Sequence, residues 1–221
     1  MRRALLLVAA SALLGASSSQ AAPAKTRKAL PELLAQVEAH YAKSGSLSAE
    51  FAQEDLSATF GEKKSSQGTL AWKAPDSLRW ETKSPEANLL VSNGKTVWVY
   101  TPPFDETENG QVIIRKASEV KSRLMDALLA GRFSRALQQG LAIEVLPKKT
   151  FALKPKKSAG GNLKQAIVTI GDDQPVIAKV SIEYRDGNKS TIELSSIKMG
   201  EPLEKSLFEF KIPPRTDIVK E

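Results

Sequence analysis

The chain has 221 residues, of which 41% are apolar and 26% charged, with a formal net charge of +7, no cysteine and one histidine, His40. That composition suits one or two folded domains and is too apolar and too patterned for a disordered chain. It excludes disulfides, thiolate nucleophiles and Cys-ligated metal centres, leaves a histidine-rich metal site impossible, and restricts any Ser-His-Asp machinery to His40.

Arg2 and Arg3 precede an apolar run from Ala4 to Leu14, broken only by Ser11, and a small-x-small site at Ser19-Gln20-Ala21. This is the layout of a secretory signal peptide, and the run is shorter than the roughly 20 apolar residues that span a bilayer. Cleavage is expected after Ala21, because Pro23 makes the next bond a poor site; an uncleaved anchor is the alternative. Removing residues 1–21 takes away two arginines and no acid, which leaves a charge of about +5. No cysteine follows the run, which speaks against a lipid anchor, so the mature chain is expected to be a soluble exported protein. Residues 22–28 read as a short basic leader and 29–221 as a single domain.

Leu30, Leu33, Leu34, Val37 and Tyr41 recur at helical spacing, which predicts a helix from Leu30 to Lys43, stopped by Gly45. From Ser46 the period changes to two. Leu47, Ala49 and Phe51 alternate with polar residues in a long strand to about Thr59, followed by strands at Thr69–Lys73 and around Leu78 and Trp80. Ala87–Ser92 and Thr96–Thr101 flank Asn93-Gly94, a strong hairpin signal. After a short strand at Val112–Arg115, Val120, Leu124, Ala127 and Leu128 form the stripe of a second helix, Glu119 to Ala130, widened by Met125 and Leu129. Ser118 suits its N-cap and Gly131 its C-terminal cap. A short helix at Ser134–Gln139 follows, then strands at Leu141–Leu146, Thr150–Leu153, Leu163–Ile170, Val176–Tyr184, Ser190–Met199 and near Phe208–Lys211. The fold class is mainly β (α+β): about eleven mostly antiparallel strands in one curved sheet, which either closes as a barrel or stays open and is plugged by the helices.

Little in this sequence supports bond-making chemistry. It contains no G-x-S-x-G, H-E-x-x-H, P-loop or dinucleotide fingerprint, and acid pairs such as Glu54-Asp55 have nothing to separate their pKa values. No metal site, catalytic residue or cofactor is expected. Lys148, Lys149, Lys154, Lys156 and Lys157 read as a solvated hairpin that blunts a sheet edge, with docking of an acidic partner as the alternative. Aromatics interleaved with these charges would suit nucleic acid, but only Phe151 is present, so no nucleic-acid partner is expected. Trp72, Trp80, Trp98 and Tyr100 lie on neighbouring strands, as core or as the lining of a ligand cavity.

Residues 68–102 carry four features in order: Gly68-Thr69-Leu70-Ala71-Trp72-Lys73-Ala74-Pro75, Leu78-Arg79-Trp80, Leu90-Val91-Ser92-Asn93-Gly94-Lys95-Thr96-Val97-Trp98-Val99-Tyr100, and Pro102. This block resembles the LolA family of periplasmic outer-membrane lipoprotein carriers, as do Phe51-Ala52-Gln53, Asn162-Leu163-Lys164-Gln165 and Phe208 to Pro214; the resemblance spans roughly residues 29–218. It implies an unclosed antiparallel β-barrel with a helical lid, a monomer without cofactor. Such a carrier takes triacylated lipoproteins from an inner-membrane lipoprotein-releasing ABC transporter, crosses the periplasm and delivers them to the outer membrane, to an acceptor if one is present.

By alternation, the lipid-binding cavity is expected to be lined by Phe51, Leu70, Trp72, Leu78, Trp80, Leu90 and Val99, with Leu33, Val37, Leu124, Leu128 and Leu129 on the lid. Many members of the family carry Arg before the Pro of the K-x-P turn, where it acts as a lid latch. Here that position is Ala74, with Lys73 and Arg79 nearby, so the latch is either absent or supplied differently. Alternatives are a related periplasmic lipid carrier, or an envelope-stress sensor module on the same fold, although such sensors carry a second domain for which this length leaves no room.

Overall fold

The change of periodicity at Gly45 is the first structural boundary. In the computed structural model, which describes residues 30–120, 128, 130–156 and 161–220, helix α1 (Glu32–Ser44) ends where Gly45 takes the left-handed conformation and donates its N–H to the Tyr41 carbonyl. The chain then runs straight into β1 (Ser46–Leu56). Pro31 stands at the N-cap, where its missing N–H costs nothing, and α1 buries the Leu34, Val37 and Tyr41 stripe.

Antiparallel strands follow as a meander: β2 (Lys63–Lys73), β3 (Ser77–Ser84), β4 (Asn88–Asn93), β5 (Thr96–Thr101) and β6 (Gly110–Lys116). The Asn93-Gly94 turn joins β4 to β5, with Gly94 at positive φ. Helix α2 (Ala117–Val120) comes next. It begins one residue before Ser118, so the expected N-cap lies inside the first turn instead. Leu128 and Ala130 are helical; Leu124, Leu129 and most of the expected Glu119–Ala130 helix lie outside the described residues. A second meander follows helix α3 (Phe133–Gln138): β7 (Leu141–Leu146), β8 (Thr150–Pro155), β9 (Leu163–Ile170), β10 (Ile177–Tyr184) and β11 (Lys189–Met199).

β1 pairs with β11 and joins the two meanders, Phe51 opposite Leu194. The end of the chain departs from expectation. Residues around Phe208 form a 3-10 turn (Lys205–Phe208), not a strand, and a twelfth strand, β12 (Thr216–Lys220), pairs parallel to β6. The order is β12-β6-β5-β4-β3-β2-β1-β11-β10-β9-β8-β7, so β12 and β7 are free edges and the barrel is unclosed.

Directly opposed residues of paired strands share a face, so the register sorts the side chains. One face carries Leu47, Trp72 and Leu78 in one row, then Ala49, Leu70, Trp80, Leu90, Val99 and Ile113 in the next. The helices pack on this face, and Leu34, Tyr41, Phe133 and Ala136 join the sheet residues in the core. The four strand aromatics split. Trp72 and Trp80 face the core, whereas Trp98 and Tyr100 project from the outer face and meet Phe210 at 6.4 and 5.3 Å between ring centres. The β7–β8 hairpin and its flank bear Lys148, Lys149, Lys154 and Lys156, with Lys149 3.1 Å from Asp172 and Lys154 2.6 Å from Glu144, while Lys157 lies outside the described residues.

Candidate functional site

Below the helices the inner face closes around an apolar cavity of about 40 Å³. Leu70 and Trp80 form one wall, from β2 and β3. Ile177, Val180 and Ile182 of β10 and Ile192 and Leu194 of β11 form the other, and Leu128 closes it. A void of this size holds one to three water molecules at most, whereas ligand pockets run from about 300 Å³ upward. A groove of about 620 Å³ on the outer face, lined by Glu54, Ser65, Gln67, Lys179 and Glu193 among others, is larger but polar and open. The small cavity is the candidate because its walls are wholly apolar and one of them belongs to a helical segment.

The sequence-derived lining residues take different places. Leu70 and Trp80 line the cavity directly. Phe51 stacks behind Trp80, with ring centres 4.4 Å apart. Gly68 makes that stacking possible, since a Cβ there would stand 2.9 Å from the Phe51 ring and 1.9 Å from the Glu81 carbonyl oxygen. Trp72 packs beside Tyr41 at 6.1 Å, at the end sealed by α1. Leu78 lies against the core, and Leu90 and Val99 extend the same face half-buried toward β6. Of the lid residues, Val37 is fully buried, Leu33 packs partly buried against the core, and Leu128 is 7% exposed. The β10 and β11 walls were not assigned from sequence. Their alternation marks them as strands, but only the long-range β1–β11 pairing brings them opposite Leu70.

Tyr41 anchors the sealed end. Its hydroxyl accepts the Ile177 N–H at 3.3 Å, and burial pushes the phenol up to about 12, partly offset by that hydrogen bond. Gly131, at positive φ, lies under the Tyr41 ring, where a Cβ would approach to 2.9 Å. Beyond it α3 is held to α1, because Ser134 donates both its hydroxyl (2.6 Å) and its N–H (3.2 Å) to the Glu38 carboxylate.

At the β2–β3 turn, Ala74 is exposed and its N–H donates to the Gly45 carbonyl at 2.8 Å. Neither neighbouring cation reaches the helices from there. Lys73 donates to the Leu203 carbonyl at 2.6 Å, and Arg79 pairs with Glu81 at 3.0 Å. A guanidinium comes from the other side: Arg132 Nη1 donates to Asp76 Oδ1 at 2.9 Å and Nη2 donates to the Pro75 carbonyl.

Among the described residues, no group of three His, Asp or Glu side chains is placed to hold a metal, and no helix is long and apolar enough to cross a membrane. His40 is half-buried on α1.

Residues 42–211 match the family described as outer membrane lipoprotein carrier protein LolA. An outer-membrane lipoprotein carrier protein of Azotobacter vinelandii is 30% identical over 187 residues, 81% of this chain and 84% of the relative. One of Pseudomonas paraeruginosa is 26% identical over 191 residues, 81% of this chain and 83% of the relative. The fold is similar to that of an uncharacterized conserved protein from Thermus thermophilus, with a TM-score of 0.51 and 16% identity, covering 86% of this chain and 98% of the other.

Proposed function

The chain belongs to the LolA family of outer membrane lipoprotein carrier proteins, and on that premise we propose that it is a periplasmic chaperone that buries the acyl chains of lipoproteins between its sheet and its helices and carries them to the outer membrane. One observation carries the mechanism: a wholly apolar cavity whose cover is a helical side chain, Leu128. Each exposed acyl CH₂ costs about 0.8 kcal/mol, so a long chain does not cross water alone. A carrier therefore needs an apolar surface to offer and a way to cover it when empty.

Leu70 and Trp80 are the first surface an acyl chain meets in this reading. Phe51, Trp72, Leu78, Leu90 and Val99 extend it along the sheet, and Leu33, Val37, Leu124, Leu128 and Leu129 act as lid. An opening of about 40 Å³ admits no acyl chain, so loading displaces Leu128. The unclosed sheet supports this reading, since two free edges let the wall spread without breaking its ladder. The cargo arrives from an inner-membrane lipoprotein-releasing ABC transporter and leaves to an outer-membrane acceptor or to the membrane itself. The work is binding and release, with no bond made or broken. Residues 1–21 direct export and residues 29–221 act as one unit.

Native mass spectrometry of the protein isolated from the periplasm tests the reading. Bound triacylated lipoproteins or their acylated peptides are the expected result. Free phospholipid or glycolipid in their place favours a related lipid carrier. A chain that stays empty and releases no lipoprotein from spheroplasts overturns both.

A further inference from the structure

β7 is an edge strand that its own sequence does not guard. Sheet edges are commonly blunted by lysines, prolines or bulges on the edge strand itself. β7 reads Leu141-Ala142-Ile143-Glu144-Val145-Leu146 and carries one charge, Glu144. The lysines stand around it instead: Lys148 and Lys149 in the turn to β8, Lys154 on β8 and Lys156 just beyond. Alternate residues of β7 turn their N–H and C=O groups away from β8, and among the described residues no strand, turn or loop takes them up.

A groove of about 580 Å³ follows this edge. Pro31 of the α1 N-cap, Leu137 of α3, Ile143 and Val145 line its inner side, and Glu144 and Lys154 its outer side. The groove is thus apolar on one side of the strand and charged on the other. An added strand, whose side chains alternate between two faces, fits that division.

We propose that the free edge of β7 is a docking site for an acidic, extended segment of a partner protein, which adds to the sheet as a further strand. Its apolar side chains lie against Leu137, Ile143 and Val145, and its carboxylates reach the lysines of the hairpin. This is an interaction surface apart from the cavity, and it does not depend on the carriage of cargo.

The charges decide the occupant. Lys149 and Lys154 each meet a carboxylate, but Lys148 and Lys156 meet none among the described residues. Lys148 and Lys149 also hold left-handed backbone, at φ 58° and 53°, where glycine or asparagine is favoured, so the turn keeps its lysines against conformational preference. A second copy of β7 is repelled in either direction: antiparallel pairing sets Lys148 and Lys149 against Lys156, and parallel pairing sets them against themselves. Residues 22–28 of the chain carry Lys25, Arg27 and Lys28 and no acid, so they are repelled too. Anionic lipid would neutralise the lysines but leave the outward backbone groups and the apolar side of the groove unfilled.

Fluorescence anisotropy tests this on the full chain with a labelled peptide of alternating valine and glutamate, about eight residues long to match β7. The peptide is expected to bind, more weakly as salt is raised, and to slow amide hydrogen exchange across residues 141–146. Lys148→Asn with Lys149→Gly should weaken binding roughly fivefold, the effect of two surface ion pairs, while thermal stability holds or rises. Val145→Asn should also weaken it, at a side chain 63% exposed on which folding does not rely, and keeps the proposal testable if the turn variant misfolds. A peptide with lysine in place of glutamate should not bind. The proposal is overturned if the acidic peptide does not bind, if it binds without slowing exchange in β7, or if both variants bind it like the wild type. Binding to phosphatidylglycerol vesicles but not to the peptide assigns the lysines to a membrane and overturns it as well, as does self-association that protects β7 in the absence of peptide.

Discussion

Tyr41 couples three parts of the molecule through one side chain, since its ring covers Gly131 and sits beside Trp72 while its hydroxyl accepts from Ile177. Its pKa, raised by burial to about 12 from the ordinary 10, means that the folded state holds the phenolic proton more tightly than the unfolded chain. The resulting stabilisation is complete below pH 10 and is lost as pH rises from 10 to about 12. Denaturant unfolding across that window should show a falling stability in the wild type and a flatter profile in Tyr41→Phe. At neutral pH the same variant leaves the buried Ile177 N–H unpaired and should be less stable by about 1–3 kcal/mol. Ala74 makes the complementary case. It sits one residue before Pro75, whose carbonyl accepts from Arg132. Ala74→Arg adds a second donor beside that contact and is expected to slow uptake of a fluorescent triacylated lipopeptide, as stopped flow would read it; an unchanged rate would mean that the position has no part in closure. The departure at Ala74 was legible from the motif alone. Arg132 was not, because a lone arginine after a helix has no motif, and its partner lies 56 residues away in sequence.

At the scale of elements, the two faces of the sheet have separate duties. The 3-10 turn at Lys205–Phe208 lies against β3 and β4 on the outer face, and Phe208 is only 2% exposed. Phe208→Ala should cost about 3–5 kcal/mol in unfolding free energy while lipopeptide affinity stays at the wild-type value, because the cavity is on the other side of the sheet. Calorimetry and a binding titration on the same sample check both halves. Alternation was enough to locate nearly every strand and to put Leu90 and Val99 on the face of Leu70. Alternation alone does not separate Trp98 from Trp80, because four aromatics on adjacent strands look like one cluster until the register puts Trp98 opposite Val91 and Trp80 opposite Leu90. The strand expected near Phe208–Lys211 failed for a different reason. Phe208 and Phe210 alternate as in a strand, but they cover an apolar sheet face and leave the ladder to Thr216–Lys220.

For the whole molecule, the mainly β class was readable from the switch of period at Gly45 and its return after Gly140, whereas alternation left a closed barrel and an open, plugged sheet as alternatives, and the unclosed barrel with a helical lid came from the family resemblance of residues 68–102. The cavity was only half readable. Leu70 and Trp80 come from the first meander, where local hairpins set the register, while Val180, Ile192 and Leu194 come from the second, joined to the first through β1 and β11. No local pattern in a sequence announces a pairing between strands that are separated by most of the chain.

That pairing also bears on the life of the chain before it is folded. Phe51 meets Leu194 only after ten strands have followed β1, and β6 waits for β12. Contacts so distant along the chain close slowly. During synthesis and passage through an export channel, β1 keeps one side without its neighbour, and the polypeptide stays threadable until its late strands arrive. The same open edge is a template for wrong partners over that interval. Slow closure thus gives the secretion machinery time and leaves the newborn carrier itself dependent on protection.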